Sequence, residues 1–204
     1  HEYWACLTAV KMQERLAELR TKWQSEGDRW PEIVHNMQNR IGINTGQLVT
    51  GNMGSTMRMN YTMMGDTVNL AARLEASAKQ YGVYIQVAEE TYKACKDKFI
   101  WRDLDYVIVM GKTEPAQVFE LISEKDKIPP GYDKLLPAYH KALELYRNQE
   151  WDKAIKAFKA SDELEDMFPG RKTNPSRIYI PRCEHYRENS PGKDWDGSWS
   201  LTKK

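Results

Sequence analysis

Residues Tyr61-Thr62-Met63-Met64-Gly65-Asp66-Thr67-Val68-Asn69-Leu70-Ala71-Ala72-Arg73-Leu74-Glu75 are the most informative stretch of the chain. Met59 to Met64 reads as a strand. Gly65-Asp66-Thr67 then opens a helix: Asp66 suits an N-cap and Gly82 a C-terminal stop, so the spacing predicts a helix over 66–81. On that helix Asn69 and Arg73 are four residues apart and share one face. Val68, Ala71, Ala72 and Ser77 are the small or apolar positions available for packing. Arginine presents a planar fork of five donors and does not lose its charge, so an amide and a guanidinium together suit a polyanion. Taken alone, such a pair is more often a solvated helix face.

Upstream, residues 1–24 place Ala5, Ala9, Met12, Leu16, Leu19 and Trp23 at intervals of four and three, the stripe of a surface helix packed on a sheet. Ser25 to Asn36 is a polar loop. Arg40-Ile41-Gly42-Ile43-Asn44 alternates as a strand, Thr45-Gly46 has turn chemistry, and Gln47-Leu48-Val49-Thr50-Gly51 alternates again, which predicts a β-hairpin. Asn52 to Thr56 reads as a glycine-bearing loop. Downstream, Val83–Val87 reads as a strand and Ala88–Lys96 as a short helix. Phe99–Val109 and Ala116–Ile122 are strands joined by Gly111-Lys112-Thr113-Glu114-Pro115. Without a strict βαβ rhythm, the pattern implies an α+β fold, one mostly antiparallel sheet with helices on one face.

Composition shifts at Ser123–Gly131, a charged linker closed by Pro129, Pro130 and Gly131. Beyond it Leu135, Tyr139, Ala142 and Tyr146 form one helical stripe, and Trp151, Ala154, Ile155 and Phe158 a second. Together they predict a helical hairpin, with a third short helix over 175–187. The spacing Ala154-x-x-x-Phe158 matches the end of the tetratricopeptide pattern. One such unit cannot bury its own apolar face and must lean on something. The expected division is therefore 1–122, a linker at 123–131 and a helical extension at 132–204.

The 204 residues carry 30 Lys and Arg against 29 Asp and Glu, which argues against a dedicated nucleic-acid binder. No apolar run approaches the ~18 residues of a membrane span. Cys6, Cys95 and Cys183 are too dispersed for a metal cluster or a disulfide framework and fit a reducing compartment. The chain opens at His1 inside a helical stripe, without Met, and is expected to be part of a longer protein.

In order and spacing, Arg40 to Gly46, Gly51-Asn52-Met53-Gly54-Ser55 and Tyr61 to Arg73 resemble the class III nucleotidyl cyclase catalytic domain, and the likeness continues more loosely to Leu121. It implies a partial ferredoxin-like domain over 1–122. The tail is similar to the extension that follows this domain in bacterial cyclases with membrane helices upstream, where it ends in an element like Trp195-Asp196-Gly197. The resemblance implies cyclisation of a nucleoside triphosphate in a head-to-tail homodimer, with Mg²⁺ or Mn²⁺, as a step in cyclic-nucleotide signalling. Asn69 matches the asparagine that orients the ribose or the transition state, and Arg73 the arginine that stabilises charge on the transferring phosphate. Thr62, with Met63 beside it, matches the base-selecting position. A threonine hydroxyl can accept from the adenine amino group, so ATP is the expected substrate; a guanylyl cyclase and a non-catalytic partner of the same fold are the alternatives. The family's metal-binding aspartates and base-selecting lysine lie upstream of the segment matched by His1, so the isolated chain is expected to be inactive. The position of the triphosphate-binding lysine is Met110; Lys112, two residues on, is the substitute candidate. The parent protein is expected at the inner membrane, with this part in the cytoplasm.

Overall fold

The computed structural model describes residues 1–108, 115–165 and 171–199. In chain order the elements are α1 (Glu2–Ser25), a 3-10 turn (Gly27–Arg29), α2 (Glu32–His35), β1 (Ile41–Ile43), β2 (Val49–Ser55), β3 (Arg58–Met64), α3 (Asp66–Tyr81), β4 (Ile85–Ala88), α4 (Glu89–Cys95), β5 (Phe99–Ile108), β6 (Pro115–Glu124), α5 (Tyr132–Arg147), α6 (Trp151–Asp162) and α7 (Pro175–Glu188). Four strands form one sheet in the order β1-β4-β6-β5, while β2 and β3 form a separate hairpin. The sheet is mainly antiparallel, with one parallel pair, β1 with β4.

The hairpin differs from the sequence expectation. Ile41–Ile43 pairs with Ile85–Val87 and not with the strand that follows it. Asn52–Ser55, expected as a loop, continues β2 and pairs with Arg58–Tyr61. The turn falls at Thr56 and Met57, without glycine. β1 is drawn to β4 because its two isoleucines join the apolar cluster of Ile85, Val87, Phe99 and Leu121. That long-range gain outweighs the local turn signal at Thr45-Gly46.

Helices cover both faces of the sheet rather than one. β4 is buried throughout, and its side chains alternate between two layers. Ile85 and Val87 meet Cys6, Ala9 and Val10 of α1 and Cys95 of α4. On the other face Ala88 joins Leu74, Ala78 and Tyr81 of α3, with Leu104 and Val118. The inner stripe of α1 is accordingly Cys6, Ala9 and Val10; Met12, expected on it, is exposed.

α3 runs over 66–81 as expected, but Gly65 is its N-cap and Asp66 its first residue. An acid there still suits the positive end of the helix dipole. At the other end Gly82 sits at φ +65°, the left-handed cap that glycine adopts without strain. Midway, α3 crosses β1 so closely that a Cβ on Gly42 would lie 2.1 Å from the Ala71 carbonyl oxygen and 2.5 Å from the Glu75 nitrogen.

β6 extends to Glu124, into the expected linker. α5 and α6 form the expected hairpin, and α7 completes a core of Tyr139, Leu143, Tyr146, Phe158, Tyr179 and Cys183. This unit leans on β5 and β6 through buried charges. Arg102 donates from Nε to Glu120 at 2.7 Å and from Nη1 to Glu165 at 2.5 Å. Arg182 donates to Asp105 at 2.6 Å. Breaking such a buried pair costs about 3–5 kcal/mol, whereas an exposed pair contributes about 0–1 kcal/mol.

Gly42→Ala should lower unfolding stability by about 1–3 kcal/mol, the usual cost of overpacking. Gly51→Ala, where a Cβ meets nothing within 4 Å, is the comparison. Urea midpoints of the two variants measure the difference; equal midpoints would mean that α3 can move off β1 at little cost.

Candidate active site

β3 passes through Gly65 directly into α3, so the end of the hairpin and the start of the helix are neighbours in space. Local contacts then fix α3 on the sheet. Asn44 Nδ2 donates to the Thr67 carbonyl at 3.0 Å, in the first helical turn. Arg40 Nε donates to Glu75 at 3.1 Å. The motif Arg40 to Gly46 therefore supplies the seat of α3: a side-chain anchor at Asn44, a close approach at Gly42 and an ion pair at Arg40. These roles were not legible from residue type alone.

With Leu74, Ala78 and Tyr81 buried, helical geometry turns Asn69 and Arg73 outward. Both are exposed. Neither side chain has a hydrogen-bond or ion-pair partner among the described residues, in contrast to Arg102, Arg147, Arg171 and Arg182, each paired with a carboxylate. The structure thus brings Asn69 and Arg73 onto one open face, anchored from beneath.

Thr62 and Met63 lie near the end of β3, whose residues are all exposed. Thr62 is opposite Gly51 in the hairpin, so no cross-strand side chain covers it. Successive strand residues point to opposite faces. Only one of the two side chains can therefore meet a ligand lying on a given face; Thr62 and Met63 cannot both contact it by side chain. Lys112 and Met110 fall outside the described residues. No three His, Cys, Asp or Glu side chains come together as a metal site among the described residues. These residues do not make a donor set for Mg²⁺ or Mn²⁺.

A cleft of about 750 Å³ lies along α1 and is lined by Trp4, Leu7, Met12, Leu16, Leu19 and Met37 among others. It is on the opposite side of the sheet from α3. Asn69 and Arg73 instead form part of a surface, continuous with the exposed hairpin, on which Val49, Met59, Tyr61, Met63 and Met64 are all more than half exposed. No described helix is long and apolar enough to cross a membrane.

The model of the adenylate and guanylate cyclase catalytic domain matches residues 1–122. A terminal-differentiation-specific adenylate cyclase of Dictyostelium discoideum is 34% identical over 181 residues, 87% of this chain and 8% of its own length. Adenylate cyclase 1 of Rhizobium meliloti is 34% identical over 122 residues, 60% of this chain and 17% of its own length. The chain thus spans under a fifth of either relative. Among solved structures, a bacterial light-regulated adenylyl cyclase superposes with a TM-score of 0.50 at 26% identity, covering 62% of this chain and 35% of that one. A family model that covers residues 1–122, more than half of the chain, settles the family: the chain belongs to the adenylate and guanylate cyclase catalytic domains.

Proposed function

We propose that this chain is the C-terminal part of an adenylyl cyclase catalytic domain, which converts ATP to 3′,5′-cyclic AMP and pyrophosphate in a head-to-tail homodimer. The observation that carries the reading is the pair Asn69 and Arg73, unpartnered and outward-facing on a helix pinned from beneath. A charged side chain held without a protein partner is available to a polyanionic ligand. The adenylate cyclases among the relatives favour ATP; Guanylate cyclase beta of Plasmodium berghei, 36% identical over 106 residues, keeps GTP as the alternative.

In the reaction the 3′-hydroxyl oxygen attacks the α-phosphorus, the bond to the β-phosphate oxygen breaks, pyrophosphate departs and the hydroxyl proton is lost. Asn69 orients the ribose by hydrogen bonding. Arg73 faces the non-bridging phosphate oxygens, where negative charge grows in the transition state. Thr62 accepts from the adenine amino group, while Met63, on the other face of the strand, supports the hairpin. Lys112 is a further contact for the triphosphate. A divalent metal, Mg²⁺ or Mn²⁺, supplies neutralisation of phosphate charge when bound, with ligands from outside this set of residues. Because both catalytic groups lie on a surface, a second copy completes the cleft. The ATP substrate places this face in the cytoplasm, whether or not the longer protein is anchored in a membrane. The extension, tetratricopeptide-like in its Ala154–Phe158 spacing, supports the domain, with Tyr139, Leu143, Tyr146, Phe158 and Tyr179 buried in its own core.

Arg73→Ala in the full-length enzyme should lower kcat by about 10²–10³ and change KM for ATP far less, because the lost interaction strengthens in the transition state. Its melting temperature should match wild type, since the side chain is exposed. Wild-type kcat would return Arg73 to a solvated role. Thr62→Ala should narrow the ATP-over-GTP ratio of kcat/KM by the equivalent of about 1–2 kcal/mol, one net hydrogen bond; an unchanged ratio would place base selection elsewhere. Purified residues 1–204 should form no cyclic nucleotide with Mg²⁺ or Mn²⁺. Turnover detected by chromatography of the products would show that this stretch contains a complete metal site.

A further inference from the structure

The C-terminal helices do more than cap the sheet: they hold the far end of the helix that carries Asn69 and Arg73. Asp105, 1% exposed, lies on β5 beside a register shift between Asp103 and Asp105. Side chains of two helices, α3 and α7, converge there. Tyr81, the last residue of α3, donates its hydroxyl to Asp105 Oδ2 at 2.5 Å. Arg182 of α7 donates from Nη1 to the same oxygen at 2.6 Å and reaches the Tyr81 hydroxyl from Nη2 at 3.5 Å. Tyr179, one turn earlier on α7, donates to the carbonyl of Leu104. Trp199 covers the outer side of the Arg182 guanidinium, 5.1 Å from its ring centre. Its neighbour Gly197 is buried against Tyr106 of β5.

A second attachment lies one residue further on. Arg171 Nε donates to the carbonyl of Gly82 at 3.0 Å, while its Nη1 is paired with Glu165. A Cβ on Gly82 would lie 2.0 Å from the Thr173 carbonyl oxygen, so the segment before α7 is in direct contact with the cap of α3. Ile178 of α7 packs on the cluster formed by Leu74, Ala78 and Tyr81.

We propose that Arg182 and Tyr81, acting through Asp105, are positioning residues that set the orientation of α3 and so aim Asn69 and Arg73. The C-terminal helical unit then controls the cyclase site mechanically, without touching the nucleotide. This rests on the cyclase reading given above. α3 is a rigid rod of sixteen residues, and Arg73 lies about 12 Å from Tyr81 along its axis at 1.5 Å per residue. A small tilt at the Tyr81 end therefore displaces Arg73, and misplacement of a reacting group by about 1 Å can cost up to ~10² in rate.

The decisive variant is Tyr81→Phe in the full-length enzyme. It keeps the buried ring and the Arg182–Asp105 pair and removes only the hydroxyl tie, so the fold is retained. Arg182→Met is the stronger break and Arg182→Lys its conservative counterpart. Tyr81→Phe should lower kcat about tenfold with KM for ATP nearly unchanged, well below its melting temperature. Arg182→Lys should recover part of the loss seen in Arg182→Met. Amide hydrogen exchange across residues 69–81 should quicken about tenfold while β4 stays protected. Ile155→Val, in the core of the extension and away from α3, supplies the comparison: it should lower the melting temperature and leave kcat unchanged.

Three results overturn the proposal: wild-type kcat in Tyr81→Phe, unchanged exchange in α3, or an equal loss of kcat in Ile155→Val at the same melting temperature. A wild-type enzyme that forms no cyclic nucleotide overturns instead the cyclase reading, and the exchange measurement still reports on the tie between Arg182 and α3.

Discussion

Two arginines that are almost wholly buried, Arg102 and Arg182, determine how the chain is put together. A guanidinium cannot shed its charge to escape burial, so each must be met by carboxylates. Both are held in the charged form by their partners against the cost of burial: Arg102 by Glu120 and Glu165, Arg182 by Asp105. The carboxylates come from both parts of the molecule. Glu120 and Asp105 belong to the sheet, while Glu165 follows α6. Satisfying the arginines therefore forces the C-terminal helices onto one particular stretch of β5 and β6. An apolar interface of the same area would permit sliding; a pair that costs several kcal/mol when broken does not. Tyr139 and Tyr179 lie within 5.2 Å of the two guanidiniums, so the aromatic core of the extension is organised around the same charges.

From that placement the rest of the second sheet face follows. α3 occupies the end near β1 and β4, and the extension occupies the end near β5 and β6, with α7 against α3 between them. α3 is consequently fixed along its whole length: Asn44 at its first turn, Gly42 at the middle, Tyr81 and Gly82 at its end. The free face of the helix is left to Asn69 and Arg73. An arginine intended for a ligand must avoid capture by nearby carboxylates. Glu75, two residues on, is instead engaged by Arg40 from the opposite side. Residues two apart on a helix point to different sides, so that half-buried pair leaves the face of Arg73 clear.

The helices were legible in the sequence because their apolar spacing survives without knowledge of the fold. α3, α5, α6 and α7 lie where the period places them, and Gly82 stops α3. Strand pairing was less legible. Thr45-Gly46 looks like a hairpin turn, yet β1 pairs with β4, forty-four residues away in register. Local turn chemistry carries no information about a parallel, long-range partner. The β2–β3 hairpin was half hidden because it is exposed on nearly all sides, so no alternation marked Asn52–Ser55 as strand. Spacing put Asn69 and Arg73 on one helix face, but only the family resemblance gave them a role, and their freedom from partners was not legible. Asp105, Tyr81 and Arg182 were not singled out, because a buried charge gives no periodic signal and its partners are 24 and 77 residues away.

The same reasoning explains why the extension belongs to the cyclase domain physically although it lies beyond the matched residues 1–122. Glu120 and Asp105 fall inside the match, and their buried carboxylates need the arginine chemistry that the sheet and the later helices supply together. Without α7, Asp105 would keep the Tyr81 hydroxyl and the Tyr106 amide but lose its cation; without the segment around Glu165, Arg102 would lose one of its two carboxylates. A half-satisfied buried charge is more costly than none. The boundary drawn by sequence similarity is therefore not a boundary of stability, and the relative from Dictyostelium discoideum, whose likeness extends over 181 residues, continues past it. Sheet and extension are coupled through the charges they share, and the helix that presents Asn69 and Arg73 lies against both.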